Sequence, residues 1–197
     1  MAVVKPAQTG VAPGEPGDVD HVIRLSGVTT TFELARFADP LSPAAAAKAA
    51  GMPPASLTSA ARLVLEVAES NRLVVVEGTG GLLVRFDEDG ATIADLARLL
   101  DAQVLVVVAA TAGAVNHTAL TLEALAHRGL DPAGLVIGRW PREPGMTERS
   151  AVADLEMLAA RPLAGALPEG RVSWTGMPSP RWRARGWAPR WAAPSTP

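Results

Sequence analysis

The sequence predicts an α/β fold, a parallel sheet with helices on both faces. Short β-branched apolar runs alternate with segments of helical period along most of the chain, and a strand–helix alternation of this kind builds a parallel sheet. The main runs, Leu73-Val74-Val75-Val76 and Val104-Leu105-Val106-Val107-Val108, are apolar throughout rather than alternating, as in strands buried on both faces. With 197 residues, 48% hydrophobic and 19% charged, the chain has enough apolar material for a real core.

Ala2-Val3-Val4 begins the pattern as a strand stub, stopped by Lys5-Pro6. A polar loop rich in Gly and Pro follows to about Gly17, and Asp18 to Ser26 suits a short helix. Ser42-Pro43 opens an Ala-rich helix, with Pro at a favourable first-turn position. From Ser56 to Ser70, Leu57, Ala61, Val64 and Ala68 fall on one helical face. The strand at Leu73–Val76 comes next. A helix over Thr92–Leu100 leads to the strand at Val104–Val108, and a helix from about Asn116 to His127 ends towards Gly129, a residue suited to a C-cap. Leu135-Val136-Ile137 reads as a strand, Glu148 to Ala160 as a helix, and Pro162 to Ala166 as a last short strand.

Composition excludes several classes. There is no Cys, hence no disulfide framework and no thiolate metal site. A formal net charge of −2 argues for neither nucleic acid nor an anionic membrane as partner. No apolar run reaches the length of a transmembrane helix, and the first residues carry no secretory signal, so a cytoplasmic enzyme or binding domain is expected. Charge is unevenly divided. From Arg171 onward there are five Arg, four of the five Trp and no acid, whereas the preceding residues hold 13 bases against 20 acids. That step marks a boundary: an α/β domain over 1–170, then an irregular Arg/Trp/Pro-rich tail over 171–197.

In open parallel sheets, ligands bind beyond the carboxyl ends of the strands, and here those ends carry unusual residues. The first runs into Lys5-Pro6-Ala7-Gln8-Thr9-Gly10, the second into Glu77-Gly78-Thr79-Gly80-Gly81, the third into Thr111 to His117, the fourth into Gly138-Arg139-Trp140-Pro141. All four are expected along one sheet edge. Glu77 follows four apolar residues and offers a carboxylate suited to Mg²⁺, or a loop or cap acid. Glycines at 78, 80 and 81 let backbone N–H groups approach an anion closely. Lys5 is one of only two lysines, the other being Lys48; its compact ammonium suits charge developing on a phosphoryl or carbamate oxygen, or it is a solvated loop residue. Asp18 is a second carboxylate for Mg²⁺ or a helix N-cap. Thr9 offers a hydroxyl to a ligand or to backbone. Gly113 to Asn116 lie where a helix begins and its free N–H groups can receive a carboxylate. No role falls to His21 or His127, and His117 reads as structural.

Lys-Pro-Ala-Gln-Thr-Gly (5–10), Val-Glu-Gly-Thr-Gly-Gly-Leu-Leu-Val (76–84), Asn-His-Thr-Ala-Leu-Thr-Leu-Glu-Ala-Leu (116–125) and Gly-Leu-Val-Ile-Gly-Arg-Trp-Pro (134–141) together resemble the dethiobiotin synthase family, from Ala2 to about Gly170. The resemblance implies a P-loop-type fold, a cytoplasmic homodimer, and a ligase of biotin synthesis. Such an enzyme binds ATP, Mg²⁺ and 7,8-diaminononanoate, and fixes CO2 as a carbamate on one amine. ATP phosphorylates the carbamate, and the second amine closes the cyclic urea, releasing ADP and phosphate. By resemblance Lys5 is the catalytic lysine, Thr9 touches the diamine, and Asp18 and Glu77 hold Mg²⁺ and nucleotide. Gly78, Thr79 and Gly80 line the phosphate and substrate pocket. Gly113, Ala114, Val115 and Asn116 receive the substrate carboxylate across the dimer interface. Gly138, Arg139, Pro168, Glu169 and Gly170 fall where the family contacts the base. Arg139 departs from the Asn-Asp pair common there, which leaves nucleotide preference open.

The family begins with a strand, a Gly-rich phosphate loop ending in Gly-Lys-Thr, and a helix. No Gly-Lys pair occurs in this sequence, so the P-loop-type sheet is expected without its first strand, phosphate loop and first helix. The 197-residue polypeptide is accordingly expected to form dethiobiotin poorly or not at all. Two alternatives remain beside the family reading: a related P-loop amidoligase or ATPase acting on another substrate, and a non-catalytic remnant that only binds. The tail reads as a shifted frame of a high-GC gene, or as a basic segment for an acidic partner. The natural protein is expected to be longer, with an internal codon taken as its start. Sequencing the DNA just upstream checks this: an in-frame Gly-rich loop ending in Gly-Lys-Thr is expected, and its absence would refute the idea.

Overall fold

A computed structural model describes residues 1–170; the Arg/Trp/Pro-rich tail lies outside the described residues. The described residues divide into two compact units, the first ending at Ala102 and the second beginning at Gln103. Both are parallel sheets flanked by helices, the α/β class expected.

The first unit runs β1 (Ala2–Lys5), β2 (Gln8–Thr9), α1 (Asp18–Ser26), β3 (Thr31–Glu33), β4 (Arg36–Phe37), α2 (Pro43–Ala50), α3 (Leu57–Ser70), β5 (Val74–Val76) and α4 (Ile93–Leu99). Its main sheet has the order β3-β1-β5, parallel throughout, with Val4 opposite both Phe32 and Val76. The central strand is the buried one, all four of its residues included. A two-stranded parallel ladder pairs β2 with β4. The short strands β2, β3 and β4 were not legible as strands, because none contains an apolar run.

Local chemistry sets the helix boundaries. Pro43 opens α2, and Gly51 closes it in the left-handed conformation. The Ser56 hydroxyl accepts the Ser59 N–H at 3.1 Å and caps α3. Asp95 accepts from the N–H and hydroxyl of Thr92 at the start of α4. On α3 the buried stripe is Leu57, Ala60, Ala61, Val64 and Val67. Ala68, expected inward, is exposed, since the last turn faces solvent beyond Val67. Phe37, Phe86 and Leu96 form the heart of this core, with small residues of α2 and α3 between them.

The second unit runs β6 (Val104–Val108), α5 (Ala114–Ala126), β7 (Pro132–Trp140), α6 (Met146–Ala159) and β8 (Gly165–Pro168), with parallel order β6-β7-β8. Its core gathers Leu135 and Ile137 of β7 with Val152 and Leu155 of α6. Helix α5 starts two residues before the expected Asn116, and β8 lies later than Pro162–Ala166 because pairing with β7 starts at Gly165.

One expectation needs correction. The apolar runs of β5 and β6 were expected buried on both faces, yet Val75, Leu105 and Val107 are exposed. Among the described residues both strands are sheet edges, and cover is most complete over the central strands β1 and β7. Phe86 is fully buried and Leu65 of α3 is exposed. Phe86→Ala is expected to cost about 3–5 kcal/mol of stability in urea unfolding, and Leu65→Ala no more than about 0.5 kcal/mol.

Candidate functional site

The parallel register of β1 and β5 decides where the first site forms. Val4 faces Val76, so Lys5, the last residue of β1, and Glu77, the first after β5, lie side by side at the carboxyl edge of the sheet. Lys5 is 3% exposed, and a buried ammonium must be paired. Its Nζ lies 3.0 Å from Glu77 Oε1 and 2.7 Å from Asp18 Oδ2, and donates to the Gly78 carbonyl at 3.1 Å. Both carboxylates are about half-exposed, so the cluster has one buried cation and two anions open to a ligand.

Asp18 is the first residue of α1, not its cap. The cap position is Gly17, whose N–H donates to Asp20 Oδ2 at 2.8 Å, and the Asp18 carboxylate turns to Lys5 instead. Glu77 likewise pairs with Lys5 rather than capping a helix. Thr79 donates from its hydroxyl to the Ala7 carbonyl, tying the Glu77–Gly81 turn to the segment after β1. That turn needs Gly80, which has φ +79° and where a Cβ would come within 2.9 Å of Val84. Thr9 lies in β2, opposite Phe37.

The remaining residues singled out lie in the second unit. Gly113 is the N-cap of α5, and Ala114, Val115 and Asn116 form its first turn. At the carboxyl end of β7, Trp140 pairs with Pro168, which brings Arg139 against Glu169. The Arg139 Nε donates to Glu169 Oε1 at 3.0 Å, and its Nη2 makes an ion pair with the same oxygen. Gly170 follows with φ +78°, beside the Arg142 guanidinium. Gly138 packs so closely on Val107 that a Cβ would meet it at 2.7 Å.

Several residues around the first site carried no sequence signal. Gln8 is buried, and its Oε1 accepts the Asp18 N–H at 2.9 Å. Arg36 donates to both carboxylate oxygens of Glu33, at 2.6 and 2.9 Å. That hydrogen bonding raises the Arg36 pKa above its ordinary value against desolvation, with Coulombic help from Glu33 and Asp20. A Gln inside a motif and an Arg between two-residue strands look like any loop residues until the fold joins them. Among the described residues no group of three or more His, Asp or Glu could hold a metal ion, so Asp18 and Glu77 stand as a pair.

Residues 1–173 match the family model described as an AAA domain. Over 170 residues the chain is 62% identical to the ATP-dependent dethiobiotin synthetase BioD of Frankia casuarinae, covering 86% of this chain and 71% of that protein. The chain belongs to the dethiobiotin synthetase family. The protein of the same name from Streptomyces avermitilis is 50% identical over 194 residues, 98% of this chain and 79% of its own length. The corresponding Mycobacterium avium protein is 52% identical over 173 residues, or 88% and 75%. The Streptomyces match therefore extends into the Arg/Trp/Pro-rich tail.

In the second unit, the Arg139 hydrogen bond first and its charge second hold the Glu169 carboxyl below the usual range against desolvation, with smaller help from the Arg142 backbone hydrogen bond and charge. A depressed carboxyl contributes stability above its unfolded pKa, which is lost as pH falls through the folded value. An NMR titration of Glu169 is expected to give a midpoint below the ordinary value of about 4.3. In Arg139→Ala the midpoint should rise towards that value; an unchanged midpoint would contradict the assignment.

Proposed function

We propose that the cluster of Lys5, Asp18 and Glu77 is the reaction centre of an ATP-dependent dethiobiotin synthetase of biotin biosynthesis. The protein is a ligase that closes the cyclic urea of dethiobiotin from 7,8-diaminononanoate and CO2, with ATP converted to ADP and phosphate. The observation that carries the site reading is the buried Lys5 ammonium between two half-exposed carboxylates at the carboxyl edge of a parallel sheet.

Each group has a task that its surroundings suit. Lys5 supplies a fixed positive charge where the carbamate oxygens and the transferring phosphoryl group accumulate negative charge. A preorganised cation in a shielded site stabilises that transition state more than water does. Asp18 and Glu77 give hard oxygen donors of the kind Mg²⁺ takes alongside phosphates and water, so the donor set fits that ion. Bound there, Mg²⁺ supplies charge neutralisation for the nucleotide phosphates. Gly78, Thr79 and Gly80 follow Glu77 in the turn after β5, and the backbone N–H groups of such a glycine-rich turn suit a phosphate or carbamate. Thr9 contacts the diamine. The second amine then attacks the activated carbonyl, with proximity contributing much of the rate.

The first turn of α5, Gly113 to Asn116, presents helix N–H groups to the substrate carboxylate, in a homodimer that completes this pocket. Gly138, Arg139, Pro168, Glu169 and Gly170 form the surface for the nucleotide base. No helix among the described residues is long and apolar enough to cross a membrane, and a cytoplasmic location fits the biosynthetic role.

Dethiobiotin formation from 7,8-diaminononanoate, bicarbonate and Mg-ATP tests the assignment. Lys5→Met is expected to lower the rate at least about 100-fold, with the fold retained by circular dichroism. A rate within twofold of the parent would remove Lys5 from the reaction.

A further inference from the structure

The loop from Gly10 to Gly17 delivers Asp18 to Lys5, and two side chains outside the charge cluster hold its end. Arg36 donates from Nη1 to the carbonyls of Glu15, at 2.6 Å, and Ala12, at 3.5 Å. Its Nε and Nη2 are occupied by Glu33, and Nη2 also lies 3.7 Å from Asp20 Oδ2. A guanidinium whose three nitrogens all face protein acceptors is not aimed at a ligand. It fastens the loop carbonyls to the β3–β4 segment.

Gln8 completes the hold at the next residue along, accepting the Asp18 N–H through Oε1. Gly17 lies between the two. A Cβ there would come within 2.9 Å of both Arg36 Nη2 and Gln8 Oε1, so both side chains close tightly on the backbone that leads into α1. Among the described residues, the Lys5 ammonium bonds to Asp18, Glu77 and the Gly78 carbonyl and not to Arg36 or Gln8. Gln8 reaches the cluster through Asp18, and Arg36 reaches it through the loop end before Asp18 and through Glu33, the register partner of Lys5.

We infer that Arg36 and Gln8 are positioning residues that set Asp18 for binding the metal–nucleotide, by clamping the loop end at Gly17 from two sides. This rests on the reading of Asp18 as a metal carboxylate given above. Partners that orient metal ligands typically change metal affinity by roughly 10- to 100-fold when removed, and Arg is not replaced by Lys where both edges of a carboxylate and two carbonyls are gripped.

A mutant cycle tests the inference by binding rather than turnover. Free Mn²⁺ is counted by paramagnetic resonance in the presence of a non-hydrolysable ATP analogue, for the parent, Arg36→Met, Arg36→Lys, Gln8→Leu and Asp18→Asn, and for Arg36→Met, Arg36→Lys and Gln8→Leu each combined with Asp18→Asn. The expected result is a roughly 10- to 100-fold weaker Mn²⁺ affinity in Arg36→Met and Gln8→Leu, no rescue by Arg36→Lys, and no further loss once Asp18 is already Asn. Unchanged affinity with a lowered melting temperature, or losses that add to that of Asp18→Asn, would overturn the inference and leave both residues merely structural. If Asp18→Asn itself leaves Mn²⁺ binding intact, the metal reading of Asp18 falls, and the positioning role falls with it. Should Arg36→Met not fold, the Gln8→Leu arm decides by the same criteria.

Discussion

A lysine ammonium withdrawn from water to 3% exposure can remain charged only where anions and carbonyls replace its hydration. In this protein Lys5 meets that demand with Asp18, Glu77 and the Gly78 carbonyl. Three separate stretches of chain are thereby drawn to one point: the end of β1, the start of α1, and the turn after β5. The requirement is mutual. Two carboxylates brought this close repel one another unless a cation lies between them.

The sheet makes that meeting inexpensive. Because β1 is central and parallel to β5, Lys5 and Glu77 follow adjacent register positions and need no special loop to reach each other. Only Asp18 must be brought in from a distance, across a loop rich in Gly and Pro. That loop is where further fastening is found, in the Arg36 bonds to Ala12 and Glu15 and the Gln8 bond to Asp18. Rigid strands supply two of the charged groups, and a side-chain clamp supplies the third. Catalysis by charge placement requires that kind of preorganisation.

The parts of this arrangement differ in how plainly the sequence records them. Lys5 and Glu77 are legible because each is a lone charge ending an apolar run, and the sheet rule then assigns them to one edge. Asp18 is half-legible: its place at a helix start is clear, but cap and ligand look alike until the carboxylate is seen turned from the helix to Lys5. Gln8, Arg36 and Glu33 are not legible, since they sit in strands of two or three residues whose pairing comes from tertiary contacts rather than from apolar pattern. The same limit explains β5 and β6. An unbroken run of Val and Leu records a strand, but not whether a neighbour covers its second face.

The most direct test of the account reads the Lys5 ammonium itself. The 197 residues contain only two lysines, so in protein labelled with ¹⁵N-lysine the Lys5 signal can be assigned by comparison with Lys5→Arg. A buried ammonium held by two carboxylates and a carbonyl predicts slow hydrogen exchange with water at Lys5, a resonance that shifts when Mg-ATP is added, and fast exchange in the Asp18→Asn/Glu77→Gln variant. A Lys5 ammonium that exchanges at the rate of a free lysine in the parent protein and ignores Mg-ATP would contradict it.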